Sequence, residues 1–568
     1  MTTKLDSFLQ ARFGKLAWPL SLVGTLLVLL GGFMRWTYDR SLLGDVTLYF
    51  NPAPVQYWVI ALGAIGVLFL ITQRTGLRRA LPGGPAAVRA TAIFSVIVVW
   101  MMLASIVIQL GGLVNLEPGI AVPAVGSLLM LVASRALPSE PPAKLNWNVP
   151  GWAQILMIAA ALALALFAGA YLLNQDDGWV FVGFMVFVTG LVLICRAFGL
   201  LGFLNHAFVD YRRVTLLAAV VAAFAFPFTQ NGSDANMSIA TQVLIFAATA
   251  IGLNIVVGLA GLLDLGYIAF LGSGAYVGAM FSNSAFATIG WHPPFLVVMV
   301  FGAVVAACFG LIIGSPTLRV SGDYLAIVTL AFGEIFRLTM NNLDGTNGPN
   351  LTHGPNGIPS IPDLNFFGFD FGQPHTVFGI VLGRFANYYF LLLVLVGAIV
   401  LAFARLNNSR IGRGWVAIRE DERAAEAMGI NIFGLKLLAF AGGAFLAGLA
   451  GTIKAHHDVS VTPDQYQFLE SAFLLAAVVL GGMGTVGGVL LGATILKLLP
   501  EKLRFFADYR LLLFGLLLVV MMRFRPEGMI ASRRRQLELH EEDEELATEL
   551  DTQVADTELT DQVGVAKA

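Results

Sequence analysis

Long apolar runs recur along this chain and constrain its fold more than any other feature. Four of them read LAWPLSLVGTLLVLLGGFM, ILMIAAALALALFAGAYLL, PFLVVMVFGAVVAACFGLIIG and RLLLFGLLLVVMM. The longer ones approach or exceed the roughly 18–20 residues that span a bilayer as a helix. Hydrophobic residues make up 57% of the 568 residues, which is too much apolar surface for a soluble chain to cover. The sequence therefore predicts an all-α, polytopic transmembrane bundle of about 13–15 membrane segments.

A polar segment near residue 230 divides the chain into two parts that differ in amino-acid composition. We predict an N-terminal transmembrane extension of about seven helices over residues 1–230. Segments beyond the break are richer in glycine, and one unbroken apolar stretch is predicted near 468–498. The core of the protein is predicted over 238–530. Residues 531–568 are acidic and nearly free of aromatic residues, which is typical of a disordered cytoplasmic tail.

Basic residues alternate between connectors and indicate the orientation of the chain. Lys4, Arg12 and Lys15 precede the first apolar run, and an arginine-rich anchor over 523–535 follows the last one. Because Lys and Arg concentrate on the cytoplasmic side of membrane proteins, we expect both termini to be cytoplasmic. The expected location is the bacterial cytoplasmic (inner) membrane, with multiple passes.

Motifs for catalysis are missing from the sequence. It contains no G-x-x-x-x-G-K-[ST] phosphate loop, no nucleophile elbow and no His/Cys/carboxylate set at metal-ligand spacing. An enzyme is therefore not predicted, and no catalytic residue, metal or cofactor is assigned to this chain.

Several ionisable residues lie at membrane depth, where charges are costly and are functional candidates by default. The translocation-path candidates are these acidic residues and their neighbouring tyrosines: Asp264, Tyr267, Asp323, Tyr324 and Glu334. A structural alternative stands beside each acidic residue. Glu334 and Arg337 are three residues apart and favour an ion pair on one helix face. Asp264 and Asp323 lie at segment ends, where helix capping would explain them.

One charged segment interrupts the apolar core sequence, GRGWVAIREDERAAEAMGIN at 412–431. Trp415, Ile418 and Ala425 recur at helical spacing, and Gly429 lies where a C-terminal cap would end a helix. We therefore predict two short helical pieces along the membrane surface. An interfacial helix without a partner is the alternative. The mixed charges and small alanines favour a protein partner instead.

This segment resembles the cytoplasmic coupling loop of ABC importer permeases, which carries E-A-A-x-x-x-G. The matching frame here runs from Arg423 through two alanines to Gly429, with arginine in place of the glutamate. Four further stretches resemble permeases of the branched-chain amino acid importers of the LivM type: residues 248–280, 316–338, 353–362 and 509–530. The resemblance covers about 238–530 and leaves the extension unmatched.

The resemblance implies a permease subunit that forms half of the translocation path for branched-chain or related amino acids. Implied partners are a second related permease, two ATP-binding subunits that hold ATP and Mg, a periplasmic or extracellular binding protein and membrane lipid, without nucleic acid. The loop 405–431 would receive the ATPase subunits. The ATPase-coupling residues implied are Arg413, Arg419, Glu420, Asp421, Glu422, Ala424, Ala425 and Gly429.

Other functions stay open at this point. A related ABC permease for urea, amides or sugars has the same architecture, because the binding protein largely selects the ligand. An ion-coupled secondary transporter would need carboxylates near mid-membrane, and Asp264, Asp323 and Glu334 are its support. A non-transport scaffold or sensor centred on the extension would show no substrate dependence.

Overall fold

Helices dominate the computed structural model of this chain. The structure describes residues 4–37, 54–75, 84–138, 145, 147, 149–175, 178–317, 323–346, 348–366, 368–377, 379–502, 509–524 and 528–530. Within those ranges, eleven helices are long and apolar enough to cross a membrane, and the helix Ile268–Met280 is apolar but shorter. The predicted all-α, polytopic class is confirmed. The predicted tail, 531–568, lies outside the described residues.

The chain divides into two compact units, Met1–Phe226 and Pro227–Ala568. Helices of the first unit are α1 Lys4–Gly31, α2 Pro54–Arg74, α3 Pro85–Gln109, α4 Ala121–Arg135, α5 Gly151–Leu173, α6 Gly178–Phe198, α7 Leu200–Asp210 and α8 Arg212–Ala225. Proline at the first position of α2 and α3 suits a helix start, where the missing N–H has no partner to lose. Trp36, Phe69 and Met102 belong to the buried apolar core of this unit.

Helices of the second unit enclose the larger core. They are α9 Asp234–Asn254, α10 Ile268–Met280, α11 Phe295–Thr317, α12 Asp323–Asn342, α13 Arg384–Asn407, α14 Arg410–Glu420, α15 Glu422–Ala427, α16 Ile432–Asp458, α17 Phe468–Gly481, α18 Val486–Lys502 and α19 Arg510–Phe524. A π-helical turn, Ile255–Leu259, ends α9. Such turns are rare and often lie at functional sites. Short 3₁₀ turns occupy Leu113–Asn115, Pro118–Ile120, Phe226–Gln230, Gly354–Asn356 and Pro463–Tyr466.

Helices α10 and α16 pack closely because glycines line their contact. A β-carbon at Gly274 would overlap the carbonyl oxygen of Gly448, and one at Gly451 would overlap that of Leu271. Residues as small as glycine let two helix backbones approach closely. The glycines of α10 and α16 therefore serve helix packing within the chain.

The polar connector between α12 and α13 contains the strands. β1 Asn365–Phe366 pairs antiparallel with β2 Phe369–Asp370, and β3 His375–Val377 pairs antiparallel with β4 Ile380–Leu382. Arg384 fixes this connector to the end of α16. Its Nε lies 2.6 Å from Asp363 Oδ1, and its Nη2 donates to the carbonyl oxygens of His456 and His457 at 2.7 and 3.1 Å. The last carbonyls of α16 thus gain the partners that a helix end lacks.

The prediction of one apolar segment near 468–498 is wrong. Two helices, α17 and α18, fill this stretch and lie against each other. Gly482 and Gly484 between them have φ of 120° and 79°. Backbone in this region is open to glycine and strained for other residues, so the chain reverses here.

Candidate functional site

The charged segment lies between two long helices of the second unit. α13 ends at Asn407, α14 and α15 follow, and α16 begins at Ile432. Ser409 caps α14 by accepting a hydrogen bond from the N–H of Gly412 at 3.2 Å. Asn431 caps α16 in the same way through Gly434 at 3.0 Å. The predicted pair of short helical pieces is confirmed.

One face of α14 fixes the segment to the bundle. Trp415 is 1% exposed, and its Nε1 donates to the carbonyl oxygen of Leu435 at 2.7 Å. Ile418, three residues later on α14, is also buried, at 4% exposure. Burial of two large side chains stabilises the docked helix by several kcal/mol, about 1.5–3 for each fully buried side chain. The opposite face remains charged.

Local capping defines α15. Asp421 Oδ1 accepts hydrogen bonds from the N–H groups of Arg423 and Ala424, both at 2.9 Å. At the other end, Gly429 has φ of 80°, and its N–H donates to Glu426 at 2.9 Å. The N–H of the next residue donates to Ala425 at 3.1 Å, which completes a Schellman cap. The predicted role of Gly429 as a helix end is confirmed.

Arg419 joins α14 to the π-helical turn at the end of α9. Its Nη1 donates to the carbonyl oxygen of Gly258 at 2.8 Å. Within the same end of α9, Asn254 is fully buried and its Oδ1 accepts from the N–H of Gly484 at 2.8 Å. Its Nδ2 donates to the carbonyl oxygen of Thr485 at 3.4 Å. The charged segment is thus connected through α9 to the turn between α17 and α18.

The predicted coupling residues lie together on this segment but differ in exposure. Six are exposed: Arg413, Glu420, Asp421, Glu422, Ala424 and Gly429. Arg419 is half-buried by its bond to Gly258. Ala425 differs from these, because its side chain is only 4% exposed. The face of α15 that carries its methyl group packs against the rest of the chain.

Glu420 and Glu422 each form an ion pair within the chain. Glu422 lies 2.7 Å from the Nζ of Lys436 on α16, and Glu420 lies 2.9 Å from Arg419. Met428, which is not among the predicted coupling residues, is 82% exposed at the end of α15. A large apolar side chain beside a charged surface is the signal that would have identified it.

Asp264 and Tyr267 lie together in the irregular segment between the π-helical turn and α10. Asp264 is 1% exposed and its Oδ1 accepts from the N–H of Gly266 at 2.9 Å, while its Oδ2 is buried without a hydrogen-bond partner. Tyr267 is fully buried and donates to the carbonyl oxygen of Gly443 at 2.5 Å. This tyrosine links the segment to α16.

The remaining translocation-path candidates lie on α12. Asp323 is its first residue, and the Asp323 side chain lies outside what the structure describes. Tyr324 is 69% exposed. Glu334 forms the ion pair predicted from its spacing, at 2.9 Å from the Nε of Arg337, which also lies 3.4 Å from Asp464. Among the side chains that the structure describes, neither Tyr324 nor Glu334 forms a hydrogen bond or ion pair with Asp264 or Tyr267.

Comparisons with known proteins identify relatives of this chain. Residues 236–522 match the family described as the permease component of the branched-chain amino acid transport system. The chain is 39% identical over 340 residues to the high-affinity branched-chain amino acid transport system permease protein LivM of Salmonella typhimurium, covering 58% of this chain and 77% of the relative.

Two further relatives define the breadth of the similarity. The LivM protein of Escherichia coli is 37% identical over 383 residues, covering 64% of this chain and 87% of the relative. The ribose import permease protein RbsC of Haemophilus influenzae is 29% identical over 279 residues, covering 48% and 77%. No solved structure matches the chain. The chain belongs to the family of branched-chain amino acid transport system permease components.

Proposed function

We propose that this chain is a permease subunit of an ATP-driven importer for branched-chain amino acids, coupled to separate ATPase subunits through residues 412–431. A second related permease completes the membrane path, and a periplasmic or extracellular protein delivers the substrate. ATP and Mg bind to the ATPase subunits. Both termini and the 405–431 loop face the cytoplasm, as the distribution of basic residues favours.

The surface of α14 and α15 is the observation that carries this proposal. Arg413, Glu420, Glu426 and Met428 are all exposed on this segment, while Trp415 on the other face holds the segment to the bundle. Lipid favours a basic polar face with large apolar residues opposite. A surface of mixed charge around one exposed apolar side chain is suited to a water-soluble protein partner.

Movement of the segment would reach the helices through hydrogen bonds already described. Arg419 binds Gly258, and Asn254 in the same end of α9 binds the α17–α18 turn at Gly484. A displacement of α14 would therefore be transmitted to the π-helical turn and, through it, to helices α17 and α18. The ATPase subunits drive the change only if their contacts with the segment differ between the outward-open and inward-open states.

Replacement of Met428 tests the docking surface. We expect Met428→Glu to lower ATP-driven L-leucine uptake in proteoliposomes by about tenfold or more, because a central apolar contact at an interface contributes about 2 kcal/mol. Copurification of the ATPase subunits should fall with it. Val114→Glu is the matched control, since Val114 is 88% exposed in the first unit. Normal copurification and uptake by Met428→Glu would contradict the proposal.

The substrate class requires a separate measurement. Radiolabelled L-leucine uptake by the complete importer should depend on ATP and persist when the ion gradient is collapsed. Unlabelled L-isoleucine and L-valine should compete, whereas ribose should not. Competition by ribose alone would assign the importer to sugars, and uptake that needs the gradient but no ATPase subunit would identify a secondary transporter.

A further inference from the structure

A cavity of about 220 Å³ lies in the second unit, lined by residues of α9, α10, α16, α17 and α18 and by Gln465 of the turn Pro463–Tyr466. Its wall carries two lysines and two carboxylates, Lys454, Asp458, Glu470 and Lys497. Apolar wall is supplied by α9 and α10, including Ile245 and Leu271, which are 4% and 3% exposed. An engineered apolar cavity of about 150 Å³ accommodates benzene, so this volume accommodates a small organic molecule.

The four charges form two separate ion pairs around the cavity. Lys454 pairs with Asp458 one turn later on α16, and its Nζ also lies 3.3 Å from Gln465 Oε1. Lys497 on α18 lies 3.0 Å from Glu470 Oε2 on α17. The cavity wall thus carries two basic and two acidic side chains. It therefore complements a molecule that carries one charge of each sign.

The second pair lies deep in the membrane-spanning part of the unit. The Nζ of Lys497 is 4.6 Å from the ring centroid of Phe246. Phe246 follows the first residue of α9, Asp234, by 12 residues. At 1.5 Å per residue this is about 18 Å along the helix, near the middle of the 26-residue candidate span Asp234–Leu259. Charged groups at this depth face a bundle interior or a water-filled path.

Access to the cavity is partial and polar. The side chains of Lys497 and Glu470 keep 27% and 33% exposure, and Gln242 on α9 is exposed at the edge of the cavity. Lipid contact would leave these groups poorly solvated, which is unfavourable for a charged side chain at mid-membrane. The exposed edge is thus suited to a water-filled path, or to the surface of a second permease that shares it.

We propose that this cavity is a subsite for a zwitterionic amino acid on the translocation path. This proposal rests on the proposed importer function. Lys497 and Lys454 receive the substrate carboxylate, Glu470 and Asp458 receive its ammonium group, and the apolar wall receives an aliphatic side chain. When the substrate binds, its carboxylate replaces Glu470 or Asp458 as the partner of a lysine, and its ammonium group replaces the lysine as the partner of that carboxylate. Each charged side chain therefore keeps a partner of opposite charge during passage. A weak, exchangeable site of this kind suits transport because the substrate must also leave.

Neutral replacement of one pair separates a substrate site from a structural ion pair. The complete importer with its binding protein is reconstituted, and L-leucine uptake is measured for the double variant Glu470→Gln/Lys497→Met. We expect about a tenfold fall in uptake with ATPase-subunit copurification unchanged, equivalent to about 1.4 kcal/mol of lost interaction. Arg35→Met/Glu117→Gln is the matched control. It removes a 3.3 Å ion pair of the first unit and should leave uptake unchanged.

Undiminished uptake by the double variant would overturn the subsite and leave the importer function intact. Absence of L-leucine uptake by the wild-type importer would contradict the importer function, and the subsite would fall with it. These two failures are therefore distinct.

Thiol labelling provides a measurement that needs only the mild replacement Gln242→Cys. The two native cysteines, Cys195 and Cys308, are first changed to alanine. A charged, water-soluble thiol reagent should modify Cys at position 242 in the assembled importer, and a saturating supply of L-leucine during turnover should slow that reaction. No modification in any state, or a rate that L-leucine leaves unchanged, would overturn the subsite.

Discussion

The Nη1 atom of Arg419 donates a hydrogen bond to the carbonyl oxygen of Gly258, 161 residues earlier in the chain, at 2.8 Å. This bond ties the charged surface segment to the π-helical turn of a span in the bundle core. Gly261 makes room for it, since a β-carbon there would overlap the Cγ of Arg419. Arg419 is therefore a positioning residue within the chain as well as part of a docking surface.

We expect Arg419→Ala to uncouple ATP hydrolysis from transport. The variant loses a charged hydrogen bond that contributes about 1.5 kcal/mol, at the lower end for such bonds because the side chain keeps 23% exposure. ATPase subunits should still bind, since Trp415 still seats α14, while uptake per ATP hydrolysed should fall. Arg419→Lys, which keeps a donor and the charge, should recover part of the ratio. An unchanged ratio in Arg419→Ala would exclude this role.

Asn254 should be coupled energetically to Arg419. Asn254→Ala removes both bonds to the α17–α18 turn and leaves the half-buried N–H of Gly484 without that partner, which costs about 1 kcal/mol. Effects of the two alanine replacements on uptake should be less than additive, because both interrupt one connection. A double-mutant cycle on uptake rate measures this. Strict additivity would show that the two contacts act independently.

Asp264→Asn should raise the melting temperature of the purified protein. The amide keeps an oxygen for the N–H of Gly266 and replaces the carboxyl oxygen that is buried without a hydrogen-bond partner by an uncharged NH2 group. A buried charge without compensation opposes folding. Asp264→Ala is the control and should lower the melting temperature, since it also removes the bond to Gly266. Equal losses for both replacements would show that the carboxylate itself is required.

Val459→Gly should stabilise the connector after α16. Val459 caps this helix with φ of 62°, a left-handed conformation that costs about 1–2 kcal/mol for a residue with a β-carbon. Glycine adopts it without this cost. Val461→Gly is the matched control and should destabilise, because Val461 is fully buried and pairs with Ile358. The melting temperatures of the two variants are compared by thermal unfolding in detergent. A lower melting temperature for Val459→Gly would contradict the claim that the backbone at Val459 is strained.

Features that depend on residues close together in the sequence could be predicted from the sequence alone. Apolar runs of membrane-spanning length determine the polytopic helical class, because unpaired backbone groups have no partners in lipid. Spacing alone indicated the Glu334–Arg337 ion pair and the end of α15 at Gly429, since each depends on residues within one or two turns. The charged segment was visible because its composition departs from its surroundings.

Tertiary structure decided the relationships between distant residues. Arg419 meets Gly258, and Lys497 meets Glu470, only because separate helices pack side by side. The reversal at Gly482 divided a stretch that hydropathy reads as continuous, and packing turned Ala425 inward from a surface where its neighbours are exposed. Hydropathy and helical spacing report each segment's own preference, whereas these contacts depend on which faces of different segments are brought together.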